Sequence, residues 1–222
     1  MEIIEKVLSE GRTILSEYES KQLLAAYGIP VSREAIVLDK ADLMPVLHTI
    51  GYPMVLKGCS PRISHKTEQG VIHVDIRNDD EALAAYNEIL SKMDQNGDSV
   101  LVQEMVKGQR EVMAGLTRDP QFGPCVMFGL GGIFTEILKD VSFRLAPLER
   151  RDALDMMLEI KGHKILDAIR GMEQVNRQTL GEILIALGRI GLENERIKEI
   201  DVNPLIIRKG EPVAVDALVV LE

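Results

Sequence analysis

The stretch KEIDVNPL, Lys198–Leu205, and the stretch VAVDALVV, Val213–Val220, predict the two strands of a β-hairpin. Between them, the dipeptide Lys209–Gly210 suits a two-residue turn. Counting back along both strands from that turn places Asn203 directly opposite Asp216, with their Cβ atoms about 5 Å apart. The turn therefore predicts the register of the hairpin, and with it which side chains share a face.

The two faces of this hairpin differ in chemistry. Side chains alternate between the faces of a strand, so one face is predicted to be apolar and to join the core. It carries Ile200, Val202, Val213, Val215 and Ala217. The opposite face carries the oxygen-bearing side chains of Glu199, Asp201, Asn203 and Asp216. A few oxygen donors suit Mg²⁺, which keeps several waters and is usually held by one or two side chains plus substrate phosphates. An edge hairpin with an acidic solvent face explains the pattern equally well.

Composition restricts the class of protein. The 222 residues, 45% of them hydrophobic, suffice for one large domain or for two lobes with cores of their own. The formal charge of −9, with no block of basic residues and no tryptophan, argues against a nucleic-acid partner. No stretch has the pattern of a signal peptide or a membrane span, so we expect neither. Two cysteines, Cys59 and Cys125, are too few for a disulfide framework, and a cytoplasmic location is expected.

Periodicity predicts a mixed α/β (α+β) fold in two lobes. Strand and helix patterns alternate from the helix that begins near Ser16 to the helix at Asp80–Met93. Three strand patterns separated by glycine or proline loops follow, and antiparallel pairing is the natural arrangement for them. We place the boundary near residue 100, which gives an N-terminal lobe over 1–100 and a C-terminal lobe, with the hairpin, over 101–222.

Two basic side chains are candidate phosphate ligands. Lys57 ends the strand pattern PMVLKG, where a long cation can reach a phosphate. Arg144, in DVSFRLAPL, can donate two coplanar hydrogen bonds to an anion. An ordinary surface lysine and a salt bridge at the rim of a site are the alternatives.

A glycine-rich turn and a polar loop supply the other candidates. Gly129–Gly132 gives a backbone whose amides can approach an anion closely, although a plain tight turn is an equal alternative. Phe134 replaces the third glycine of a dinucleotide-binding fingerprint, which argues against that fold. His65 lies in the polar stretch SPRISHKTEQG, and a neutral imidazole there is able to accept a phosphoryl group. A solvated loop histidine is the alternative.

Six segments, in this order, resemble the ATP-grasp (beta) subunit of the ADP-forming acetyl-CoA and acyl-CoA synthetases, a family related to succinyl-CoA synthetase. The resemblance spans nearly the whole chain. Six ordered motifs are far more specific than any one of them. They are SEYESKQLLAAYGIPV (16–31), YPMVLKG (52–58), SPRISHKTEQGV (60–71), LVQEMVKGQREVMAG (101–115), RDPQFGPCVMFGLGGIFTEILKDVSFRLAPL (118–148) and KEIDVNPLII (198–207).

The resemblance implies the ATP-grasp fold, with a nucleotide held in the cleft between two lobes. It also implies individual roles. His65 would carry phosphate between a phosphohistidine of a partner subunit and ADP, and Arg144 would contact the phosphates. The other implied site residues are Lys57, Glu104, Met105, Val106, Glu111, Gly131 and Gly132 for the nucleotide, and Asn203 and Asp216 for Mg²⁺.

The activity that the resemblance implies converts acyl-CoA, ADP and phosphate to the free acid, CoA and ATP. It requires a CoA-binding alpha subunit with a second catalytic histidine, in an assembly such as an α2β2 heterotetramer. A non-catalytic nucleotide-sensing module is one alternative. Another is an ATP-grasp ligase that joins a carboxylate to an amine or thiol through an acyl phosphate. The presence of Lys57, His65, Asn203 and Asp216 argues against the sensing module. The other ligase needs no phosphate-carrying histidine, so His65 distinguishes it from the synthetase.

Overall fold

The computed structural model describes residues 2–60, 70–93, 99–132, 140–168 and 171–222. Backbone contacts divide the chain into two units. Unit 1 consists of the described residues within Met1–Leu15, Glu19–Val31 and Val106–Glu222. Unit 2 consists of Ser16–Tyr18 and the described residues within Ser32–Met105.

Unit 2 is built on a four-stranded antiparallel sheet with the strand order β1-β4-β2-β3. Helices α3 and α4 cover one face of it, and their apolar side chains form a core with the strands. The elements are β1 (Glu34–Val37), α3 (Lys40–Ile50), β2 (Met54–Cys59), β3 (Ile72–Ile76), α4 (Asp79–Lys92) and β4 (Ser99–Glu104).

The ends of both helices follow from side chains that satisfy exposed backbone groups. The Asp39 carboxylate accepts a hydrogen bond from the N–H of Ala41 at the start of α3, and Asn78 does the same for Glu81 in α4. At the end of α3, Gly51 has a φ of 81° and donates its N–H to Leu47. Each helix is thus delimited by residues next to it in sequence.

Unit 1 contains the larger sheet, with the antiparallel order β10-β8-β5-β6-β7 and with β9 paired to β8. Helices α5 and α6 pack on one face of this sheet. The elements are α1 (Glu2–Ser9), α2 (Glu17–Ala26), β5 (Glu111–Asp119), β6 (Gly123–Leu130), β7 (Val141–Leu145), α5 (Arg150–Glu159), a 3₁₀ turn (His163–Leu166), α6 (Arg177–Glu193), β8 (Ile197–Arg208), β9 (Glu211–Ala214) and β10 (Leu218–Leu221). The first two residues of α2, Glu17 and Tyr18, belong to unit 2.

The division into units differs from the predicted boundary near residue 100 in two ways. Strand β4 lies between β1 and β2, so it belongs to the sheet of unit 2 and the chain changes unit after Met105. Most of the N-terminal region joins unit 1, because Ile4, Val7 and Leu23 are buried in the same core as α6. Both differences arise from contacts between residues far apart in sequence, which periodicity does not report.

No helix among the described residues has both the length and the apolar character needed to cross a membrane.

Candidate functional site

The hairpin has the predicted register. Arg208 pairs with Glu211 across the turn. The ladder continues to the pair Leu205 and Ala214, and it resumes with Leu218 opposite Asp201. The two ladders share one register, which places Asn203 opposite Asp216. The predicted second strand is interrupted at 215–217, however, so Asp216 lies on an irregular segment between β9 and β10.

A β-bulge lies at this point of β8, on the edge that pairs with β5. Val112 pairs with Leu205, but Ala114 pairs with Val202, so Met113 alone faces two residues of β8. Those two residues are Asn203 and Pro204. Proline cannot donate a ladder hydrogen bond, and it is therefore placed at bulges within sheets. The bulge thus sets the local backbone direction next to Asn203.

The predicted division into a core face and an oxygen face holds for Ile200, Val202 and Ala217 but is wrong for Val213 and Val215, because Ala214, the partner of Leu205, joins the core cluster and Val215 is only half-buried. Ile200, Val202 and Ala217 are buried, whereas Asp201, Asn203 and Asp216 are half-buried and Glu199 is exposed. The oxygen face is electrostatically unfavourable by itself. Burial, followed by the negative charges of Glu199 and Asp216, raises the pKa of Asp201 to about 6. Within the described ranges, no lysine or arginine forms an ion pair with Asp201 or Glu199.

These residues fit Mg²⁺ better than a metal that needs a full set of protein ligands. The donors are oxygens, and the excess negative charge would be relieved by a cation. In the part of the chain that the structure describes, no group of three or more histidine, cysteine, aspartate or glutamate side chains could hold a metal. Asn203 and Asp216, at one register position, match the small ligand number that Mg²⁺ takes from proteins when phosphates supply the rest.

A cavity of about 290 Å³ opens on the same face of the sheet. Asp201 and Asn203 form part of its lining, together with Met113, Met127 and Phe143 from β5, β6 and β7. Phe143 is 47% exposed, which is high for a large apolar residue in a strand. These three residues were not predicted from the sequence. The pattern that could have identified them is the period of two along each strand, since each is an apolar residue on the strand face that points away from the helices.

The structure brings Glu111 together with two of the predicted glycines. The N–H of Gly131 donates to the carbonyl of Glu111 over 3.0 Å. A Cβ on Gly131 would lie 2.9 Å from the Glu111 backbone, so only glycine allows this approach. Gly132 has a φ of +64°, and a Cβ there would lie 3.0 Å from Glu111 Oε2. The predicted nucleotide ligands Glu111, Gly131 and Gly132 therefore form one cluster in unit 1.

Lys57 is almost completely buried in unit 2, which argues against an ordinary surface lysine. Its side chain is 8% exposed, and Nζ lies 2.7 Å from Glu17 Oε1. Its strand neighbour Leu56 points into the core under α3 and α4, so Lys57 points to the opposite face of the sheet. No functional role for Glu17 was predicted from the sequence.

Three of the predicted nucleotide ligands, Glu104, Met105 and Val106, are consecutive in the chain. Glu104 ends β4, and its carboxylate accepts hydrogen bonds from Arg33 N at 3.0 Å and from Arg33 Nε at 3.3 Å. Met105 donates its N–H to the carbonyl of Pro53. Val106, which is buried, is the first residue of the long C-terminal part of unit 1. The position of Glu104 is thus set by backbone pairing and by Arg33.

The structure does not bring Arg144 to the oxygen face. Phe143 lines the cavity on that face, and the next residue of a strand points to the opposite side. There, Arg144 makes a bidentate ion pair with Glu159 of α5, with 2.9 Å between Nη1 and Oε2. This ion pair is the predicted alternative to phosphate binding. Arg144 and Asn203 therefore lie on opposite faces of the sheet.

His65, the predicted phosphate carrier, lies outside the described residues.

Comparison with known proteins identifies the family to which the chain belongs. Residues 6–221 match the family described as the ATP-grasp domain. The chain is 44% identical to the beta subunit of ADP-forming acetate–CoA ligase I of Pyrococcus furiosus, over 99% of this chain and 97% of the relative. The chain belongs to the ATP-grasp family, with the beta subunits of ADP-forming acetate–CoA ligases. The predicted family and fold are thereby confirmed.

Two further members of the ligase family are informative. The chain is 37% identical to ADP-forming acetate–CoA ligase I of Archaeoglobus fulgidus, over 99% of this chain but only 33% of that protein. A structure of the acetyl-coenzyme A synthetase 1 of Ca. Korarchaeum cryptofilum matches with a TM-score of 0.89 and 42% identity, over 100% of this chain and 99% of that one. That structure holds coenzyme A and Mg-AMPPCP, and its phosphohistidine segment points towards the nucleotide-binding site.

Proposed function

We propose that this chain is the ATP-grasp subunit of an ADP-forming acetate– or acyl–CoA ligase. The overall reaction is acyl-CoA, ADP and phosphate to acid, CoA and ATP. The observation that carries this proposal is the end-to-end match with a ligase beta subunit, which leaves neither chain a large unmatched region.

The partner in this proposal is a separate CoA-binding alpha subunit. In the Archaeoglobus relative, the region that matches this chain is only a third of one longer polypeptide. The Pyrococcus relative is named a subunit and has nearly the length of this chain. By analogy with that subunit, we assign the remaining parts of the reaction to another chain. An α2β2 assembly and a cytoplasmic location stay predictions, and sedimentation of the purified complex tests the former.

Phosphate moves between two histidines and the nucleotide in this scheme. A nitrogen of the His65 imidazole attacks the phosphorus of the partner's phosphohistidine, and the P–N bond to the partner breaks. A β-phosphate oxygen of ADP then attacks the same phosphorus, and the P–N bond to His65 breaks. Neutral His65 is thereby regenerated and ATP is formed. The chain's contribution is mainly positioning and charge stabilisation.

Asn203 and Asp216 would hold Mg²⁺ in this scheme. When bound, Mg²⁺ neutralises phosphate charge as the phosphoryl group moves. The side-chain amide oxygen of Asn203 and the Asp216 carboxylate would supply the two protein donors, and they lie opposite each other in the register of the hairpin. For the nucleotide itself, we propose the ligands Lys57, Glu104, Met105, Val106, Glu111, Gly131 and Gly132.

The activity is tested on the tagged chain purified together with its native partner. ATP formation should require acyl-CoA, ADP, phosphate and Mg²⁺ together. Acid-labile phosphate should appear on this chain when MgATP is added alone. Nucleotide binding without either activity would instead favour the sensing module. ATP-dependent ligation without a phosphorylated histidine would favour the carboxylate ligase that works through an acyl phosphate.

We expect Arg144→Ala to change kcat/KM by less than about threefold. Arg144 faces α5, and a solvent-exposed ion pair contributes little even to stability. Steady-state kinetics of the complex measure this, with the charge-preserving variant Arg144→Lys as the control. A loss of 10²-fold or more, of the size expected when a charge-stabilising donor is removed, would restore Arg144 to the phosphate site.

We expect Gly132→Ala to weaken MgADP binding severalfold and to destabilise the protein by about 1–2 kcal/mol, the cost of a side chain at positive φ. Its Cβ would also displace the Glu111 carboxylate. Gly123→Ala is the matched control, because Gly123 has a φ of +81° and open space around its Cβ position. It should lose similar stability and keep its affinity for MgADP. Equal affinity in both variants, measured by calorimetry, would contradict a nucleotide role for the Glu111 cluster.

A further inference from the structure

Glu17 is a carboxylate buried in unit 2 to which the proposed chemistry assigns no role. It is the first residue of α2, and its side chain is 1% exposed. Its Oε1 lies 2.7 Å from Nζ of Lys57, whose side chain is 8% exposed. A charge removed from water to this extent is tolerated only when it is paired and hydrogen-bonded. The two groups therefore depend on each other for burial in the charged state.

The Lys57 side chain is fixed at both of its ends. At the backbone end, Lys57 lies between Leu101 of β4 and Ile72 of β3. The following residue is tightly packed, since a Cβ on Gly58 would lie 2.7 Å from the sulfur of Met93. At the other end, the Glu17 carboxylate fixes the ammonium. A lysine side chain otherwise has four flexible carbons and a high rotamer entropy, so this second anchor restricts it considerably.

We propose that Glu17 is the positioning residue for Lys57, and that it sets the affinity of the ligase for its nucleotide. The inference rests on the proposed function, in which Lys57 contacts the phosphates. An ammonium has three donors, so it can donate to a carboxylate oxygen and to a phosphate oxygen together. Glu17 thus holds the ammonium in place before the nucleotide arrives, and less entropy is lost on binding.

The test is calorimetric titration of MgADP into the complex of this chain with its native partner. Glu17→Ala should raise the Kd about tenfold or more, the loss expected for one charge-assisted hydrogen bond. Glu17→Gln should raise it less, because the amide oxygen still accepts a bond from the ammonium. Gln22→Ala is the control, since Gln22 is exposed on the same helix. In steady-state assays, the KM for ADP should rise while the KM for acyl-CoA stays constant.

A double-mutant cycle separates positioning from loss of stability. If Glu17 acts through Lys57, Glu17→Ala has no further effect on the Kd in a Lys57→Ala background. Leu47→Ala, a fully buried core change in the same unit, lowers stability without raising the Kd. An unchanged Kd in Glu17→Ala, or an equal effect with and without Lys57, overturns the inference alone. Failure of the wild-type complex to bind MgADP overturns the proposed function as well.

Discussion

His65→Asn should abolish net ATP formation, with a loss of at least about 10³-fold, because it removes the atom that carries the phosphoryl group. Asparagine is similar in size and polarity to histidine, but its amide nitrogen is not nucleophilic. The variant should therefore fold and bind MgADP as the wild type does. The measurement is incubation of the complex with γ-labelled MgATP, followed by a test for acid-labile phosphate on this chain.

His48→Asn is the matched control for that experiment. His48 lies on α3 with a 66% exposed side chain, and it is subject to the same chemical change. It should keep both the label and the turnover. If His65→Asn retained the label or the overall activity, His65 would not be the phosphate carrier, and the direct ligase mechanism would gain support.

Asp216→Ala should lower kcat/KM by about 10²-fold or more, and higher Mg²⁺ concentrations should recover part of the loss. The reason is local. Asp216 is the only carboxylate at the register position of Asn203, so its removal leaves one neutral donor at that position. The pKa of Asp201 should also fall towards its ordinary value, because one of the negative charges that raise it is removed. Turnover at varied Mg²⁺ and the pH titration of Asp201 measure the two effects.

Glu199→Gln distinguishes the loss of a Mg²⁺ ligand from a general loss of negative charge on the oxygen face. Glu199 lies on the same face and also acts on Asp201, but it is exposed and four residues from Asn203 along β8. This variant should keep its Mg²⁺ dependence. If it lost as much activity as Asp216→Ala, the total charge of the face would matter rather than a specific ligand, and the metal assignment would be wrong.

Several features of the fold could be read directly from the sequence. The caps at Asp39 and Asn78 start helices that the periodicity also predicts, because capping acts over only two or three residues. The motifs of the ligase family were also present in the sequence, and the end-to-end comparison agrees with them. Such features depend on neighbouring residues or on a linear order, and neither requires knowledge of the fold.

The hairpin shows how much of the site the sequence by itself determined. A two-residue turn and a period of two predict the register, so Asn203 opposite Asp216 followed from counting alone. The bulge at Asn203 and Pro204 did not follow, because it depends on pairing with β5, a strand about 90 residues earlier in the chain. It shifts the alternation of side chains, so Leu205 and its partner Ala214 join the core cluster in place of Val213.

The tertiary structure alone decided which sheet β4 joins, which way Arg144 points and what holds Lys57. Strand β4 could pair with either sheet by its composition, and its place between β1 and β2 is a matter of long-range pairing. Arg144 belongs to an edge strand whose inner face is known only once α5 is placed on it. Glu17 and Lys57 are 40 residues apart, and no local pattern links them. Local backbone geometry repeats at a fixed period, so it can be inferred by counting residues along the sequence. Packing between distant segments depends instead on how the whole core is buried, which only the tertiary structure shows.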